Sequence, residues 1–150
     1  MKLPSYLQSV ADNLDIQILS ETLVPDNNYA FVLDEACGGI NMFVGTVRRW
    51  NKDEEITHLD FECYEPMAIS ELKKIANRAF EEFGVNKISI HHRTGKVGLT
   101  EIAVVIAVSS KHRKVSFTAC EFIIDELKKT VPIWKKEFMT NGSYWVNSRP

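Results

Sequence analysis

Ile102-Ala103-Val104-Val105-Ile106-Ala107-Val108-Ser109-Ser110-Lys111-His112-Arg113 decides how this chain is read. Ile102 to Val108 is an apolar, β-branched run, the composition of a strand. Ser109 to Lys111 then breaks the apolar pattern. From His112 onward Val115, Ala119, Phe122, Ile123 and Leu127 recur at helical spacing, until Pro132, which has no amide hydrogen, forbids continuation. A strand that runs through a short polar turn into a helix indicates a mixed α and β chain.

The segments on either side agree. Leu14 to Leu19 alternates like a strand, and Pro25-Asp26-Asn27 starts a helix expected over Tyr29 to Ala36, which Gly38-Gly39 breaks. Ile40 to Val47 reads as a buried strand delivering Arg48 and Arg49 at its mouth, and Asn51 to Glu55 as a polar loop. Thr57, Leu59, Phe61 and Cys63 then alternate against His58, Asp60 and Glu62 as on a half-buried strand. Pro66 suits a first helical turn, and Met67, Leu72, Ile75, Ala76, Ala79, Phe80 and Phe83 carry that helix to about Gly84. Ile88 and Ile90 lead into His91-His92-Arg93, a turn follows from Thr94 to Gly98, and this strand pairs with Ile102 to Val108 as a hairpin. Tyr144-Trp145-Val146 adds a last short strand.

At 150 residues, 45% of them hydrophobic, the chain is the size of one domain with a sizeable core, and no repeat or linker divides it. Eighteen Lys and Arg against 20 Asp and Glu give a net charge of -2, so nothing in bulk draws it to nucleic acid or an anionic membrane. Cys37, Cys63 and Cys120 stand far apart, each among apolar or strand-like neighbours, as in a reducing compartment. With no signal-peptide pattern and no membrane-length apolar run, a soluble cytoplasmic protein is expected.

Chemistry concentrates in the last third. At the start of the helix after Val108, unpaired backbone N–H groups point outward, and Ser109 or Ser110 is expected to cap them. His112 and Arg113 add directional donors, so the turn reads either as an anion site or as a capped helix with solvated charges. Lys128 in the last helical turn gains from the helix dipole whether or not it reacts. Beyond Pro132, Lys135 and Lys136 follow Trp134, a residue large enough to wall a pocket. His91-His92 has no spacing that completes a metal site, because adjacent strand residues face opposite sides. Ser109 or Ser110 beside His112 has no nucleophile elbow and no acid partner. Cys120 is expected in the core.

Several segments together resemble one family: Gly39-Ile40-Asn41-Met42-Phe43-Val44-Gly45-Thr46-Val47-Arg48, Tyr64-Glu65-Pro66-Met67-Ala68, His92-Arg93-Thr94-Gly95, Ser110-Lys111-His112-Arg113, and Lys128 through Glu137. In that order, over roughly 38–146, they are similar to the large, catalytic subunits of molybdopterin synthases. The resemblance implies an α/β hammerhead fold in a single domain, a homodimer of large subunits, and a small ubiquitin-like partner on each, making a heterotetramer. The partner's C-terminal Gly-Gly tail carries a thiocarboxylate, which sulfurates cyclic pyranopterin monophosphate to form the molybdopterin dithiolene. No cofactor or metal is implied for the large subunit itself.

By position, the resemblance makes Lys128 and Lys135 catalytic and puts Arg48, His112, Arg113, Lys136 and Glu137 with them in substrate binding. It also accounts for the lack of an activated cysteine, since the partner carries the sulfur. One departure is the loop Arg49 to Glu55, which has no glycine where many relatives have one. The competing reading is a non-catalytic module that holds a phosphorylated ligand at His112-Arg113.

Overall fold

The computed structural model describes residues 8–147. Its first sheet has the order β1-β2-β6-β8-β3, formed by β1 (Gln8–Val10), β2 (Leu14–Leu19), β6 (Lys87–Arg93), β8 (Ile102–Ser110) and β3 (Gly39–Thr46). β2 and β6 run parallel and the other pairings are antiparallel. The second sheet has the order β10-β9-β5-β4, from β10 (Tyr144–Asn147), β9 (Ile133–Met139), β5 (Glu54–Cys63) and β4 (Trp50–Asn51), with β7 (Gly95–Gly98) also pairing to β5. Helix α1 (Pro25–Val32) covers one face of the first sheet, while α2 (Glu65–Phe83) and α3 (Arg113–Thr130) cover the other.

This arrangement explains the apolar run at the centre of the sequence. β8 is buried from Ala103 to Ser110 because helices lie on both its faces. Val104, Ile106 and Val108 join the cluster under α2 and α3, whereas Val105 and Ala107 turn toward α1. The cluster extends through Leu72, Ile75, Ile123 and Leu127 to Phe61, Val97 and Ile133 of the second sheet, so one apolar core joins both sheets. Each such Leu or Ile contributes about 1.5–3 kcal/mol on full burial. Gly84 ends α2 at φ 64°, a left-handed position suited to glycine, as the sequence predicts.

On the α1 face the sheet carries a polar network. His91 Nε2 donates to Asp15 Oδ2 (2.7 Å), Ser89 Oγ to the same oxygen (2.9 Å), Gln17 Nε2 to Asp15 Oδ1 (2.9 Å), and Asn28 Nδ2 to Ser89 Oγ (2.9 Å). Burial acts to raise the Asp15 carboxyl, but the hydrogen bonds from His91, Gln17 and Ser89 outweigh it and hold the pKa below the ordinary carboxylate value. The network ties β2, β6 and α1 in one register, since leaving any member unpaired there is costly.

Several expectations need correction. The first helix ends at Val32 rather than Ala36, because Asp34 Oδ1 accepts the Ala36 amide (2.8 Å) and bends the backbone into a turn. β3 is an edge strand, not a buried one: Phe43 and Val44 are 36% and 39% exposed, since β8 lies on only one side of it. The segment Gly95–Gly98 is a strand in the second sheet, so β6 and β8 pair directly while their connection crosses to another layer. Trp50 to Glu55 is a tight β4–β5 hairpin, not an open loop.

Candidate active site

Pro132 releases the chain from α3 straight into β9, whose pairing with β5 sets Lys135 opposite Phe61 and Glu137 opposite Leu59. Lys128, in the last turn of α3, reaches the same place from the helix side. Two neighbouring clefts meet there and share Lys128, Lys135, Leu59 and Thr46. The more apolar one, about 340 Å³, is walled by side chains including Phe43, Phe61, Val104 and Leu127, with His92 among its lining. The other, about 420 Å³, adds Arg48, Asn51 and Glu137. Three cations from three separate elements thus converge on one concavity.

Glu137 is 5% exposed and accepts a hydrogen bond from Asn51 Nδ2 at 2.8 Å. A buried carboxylate beside Lys128, Lys135 and Arg48 balances part of the positive charge and anchors the β4–β5 hairpin to β9. His92 is 3% exposed, lies edge-on to Phe61 with ring centroids 5.1 Å apart, and bonds the Arg93 carbonyl through Nδ1 at 2.9 Å. Burial pushes its pKa down to about 4, so the ring is neutral near pH 7. Burial also drives the Cys63 thiol up to about 12 and the Cys120 thiol up to about 11, which leaves neither as a thiolate nucleophile.

Lys136 stands apart from this group. Strand alternation turns it to the opposite face of β9 from Lys135 and Glu137, where its Nζ meets Glu62 Oε1 at 2.9 Å. Trp134 shares that outer face and does not wall the clefts.

His112 and Arg113 lie elsewhere too. They sit at the start of α3, exposed, lining a shallow cleft of about 400 Å³ with Gly38, Lys111 and Lys114. α3 has 18 residues, which is ~27 Å at 1.5 Å per residue, so helix start and helix end are separate places within one chain. The serines do not cap this helix. Ser110 Oγ donates instead to the His112 carbonyl (2.6 Å), and Ser109, inside β8, is fully buried. The first-turn amides therefore have no side-chain cap, and Gly39 packs directly on them: a Cβ there would come within 2.9 Å of Arg113 Cα.

Sequence reasoning missed Asn51, Thr46, Phe61 and His92 as part of the site. The alternation of β5 was enough to turn Leu59 and Phe61 to one side, but pairing with β9 was needed to show what they meet.

Residues 18–130 match the family described as MoaE protein. The chain belongs to the MoaE family. The molybdopterin synthase catalytic subunit of Staphylococcus carnosus is 39% identical over 130 residues, which cover 87% of each chain. The human molybdopterin synthase catalytic subunit is 38% identical over 134 residues, 89% of this chain and 71% of the human one. Among solved structures of the MoaE fold, molybdopterin synthase from Staphylococcus aureus superposes with a TM-score of 0.82 at 37% identity, over 87% of this chain and 94% of that one. A complex of subunits 1 and 2 of molybdopterin-converting factor from Helicobacter pylori matches with a TM-score of 0.69 at 26% identity, over 84% and 86%. The mixed α/β architecture expected from the sequence is thus that of this family, whose members work in molybdenum cofactor biosynthesis.

Proposed function

We propose that this chain is the catalytic subunit of a molybdopterin synthase and acts as a sulfurtransferase. The small ubiquitin-like subunit inserts its Gly-Gly thiocarboxylate tail between Lys128 and Lys135, and sulfur passes to cyclic pyranopterin monophosphate. The observation that carries this reading is the convergence of Lys128, Lys135 and Arg48 on one partly apolar concavity with no activated thiol. Such a site suits a reaction in which the nucleophilic sulfur arrives on a partner. The chain then has only to hold two anionic reactants together and stabilise charge as it develops.

His112 and Arg113 sit too far from Lys128 along α3 for one small substrate to touch both within a protomer. We assign them to the pocket of a second copy, so that the phosphate of the pterin is gripped from across a homodimer and two small subunits complete a heterotetramer. The open edge of β3, with Phe43 and Val44 exposed, supplies apolar surface for that pairing.

The test is reconstitution of the purified chain with a thiocarboxylated small subunit and the pterin precursor. Lys128→Ala is expected to keep the fold and still bind the small subunit while lowering dithiolene formation by about 100-fold or more. Normal product yield from that variant overturns the catalytic assignment. Failure of the wild-type chain to bind any Gly-Gly-tailed protein favours the phosphate-binding module instead.

A further inference from the structure

The more apolar cleft is unbalanced in its hydrogen-bonding capacity. Its cations, Lys128 and Lys135, can only donate, and most of the remaining lining is apolar. A tail of two glycines has no side chains, so its only polar groups are backbone C=O and N–H and the terminal acyl group. The lysines satisfy the oxygens and the acyl end. The N–H groups need acceptors, and an amide hydrogen desolvated without one is costly.

Two side chains in that lining can accept. Thr46 is exposed at the rim, where water serves its hydroxyl. His92 is buried, against the edge of Phe61. Its tautomer follows from its neighbour: the Arg93 carbonyl can only accept, so Nδ1 carries the hydrogen and Nε2 keeps its lone pair. Among the described residues the ring's hydrogen bond is the one through Nδ1, which leaves Nε2 without a protein partner. The depression of its pKa to about 4 keeps the ring an acceptor throughout the physiological range.

We propose that His92 is a binding residue for the partner's tail, its Nε2 accepting a hydrogen bond from a backbone N–H of the Gly-Gly end. This rests on the function proposed above and adds to it a reason for glycine selectivity. A tail held by backbone donors at a buried ring approaches it most closely with no side chain in the way.

The test pairs a change in the protein with a change in the ligand. The probe is the small subunit made by semisynthesis with its native Gly-Gly end or with N-methylglycine at each of the two positions in turn. With the wild-type chain, N-methylation at one position is expected to raise Kd about tenfold. His92→Phe, similar in size and without an acceptor, is expected to raise Kd for the native tail by about the same factor and to show less than a twofold further penalty from N-methylation. His92→Gln, which keeps an acceptor, is expected to recover most of the affinity and guards against a loss caused by misfolding. Equal N-methyl penalties in wild type and His92→Phe overturn the proposal while the sulfurtransferase reading stands, as does unchanged affinity of His92→Phe for the native tail. No binding of the native tail to the wild-type chain overturns both.

Discussion

Lys52 adopts φ 57°, in the left-handed region, at the tip of the β4–β5 hairpin. This loop, Arg49 to Glu55, contains no glycine, and the backbone takes a glycine-like conformation there regardless. A side chain in that region costs roughly 1–2 kcal/mol, against which glycine loses about 0.5–1 kcal/mol through its freer unfolded chain. Lys52→Gly is therefore expected to stabilise the protein by about 0.5 kcal/mol, measured by urea unfolding. His92 sets a second expectation at this scale. Its ordinary pKa of 6.5 falls to about 4 in the folded chain, with burial as the main cause. Above pH 6.5 the imidazole is neutral in both states; between 6.5 and about 4 only the unfolded chain takes the proton, so stability falls as pH falls. The loss from this one group approaches ~3 kcal/mol at the bottom of the window. His92→Phe is expected to flatten that part of the stability curve, and a curve as steep as that of the wild type contradicts it.

At the scale of elements, β9 sorts its own residues. Lys135 and Glu137 face the clefts and Lys136 the outside, so Lys135→Ala is expected to lower dithiolene yield by at least tenfold, and Lys136→Ala to leave yield and melting temperature essentially unchanged. Parallel assays of the two variants check this, and an equal loss from both would show that the strand face does not decide their roles. The sequence made the helices and most strands readable because their periods are local: α2 and its Gly84 stop, β2, β10 and the core run of β8 stand where the residues indicate. β9 was hidden, since Trp134-Lys135-Lys136-Glu137 alternates without a clean apolar face and owes its form to pairing with β5 and β10. The burial of β3 was misjudged for the same reason in reverse. An apolar run shows that a strand forms, not how many neighbours it has.

For the whole molecule, Lys128 and the start of α3 at Arg113 are 15 residues, ~22 Å, apart along one helix. If a second copy closes the gap, two inactive variants rescue each other. Lys128→Ala and Arg113→Ala chains, mixed and allowed to exchange, would form heterodimers in which one pocket carries both changes and the other neither. With random pairing about a quarter of all pockets are intact, so the mixture is expected to recover about a quarter of wild-type activity. No recovery after demonstrated subunit exchange would mean that these residues do not share a pocket across the interface. The position of His112 and Arg113 at a helix start was legible from spacing; their distance from Lys128 needed the length of α3 as folded. The desolvation of the Cys63 and Cys120 thiols has a consequence of another kind. With both thiols held protonated, a catalyst that works with sulfur is itself shielded at those positions from alkylating agents and peroxide, and such agents would strike first at the sulfur on the donor's tail.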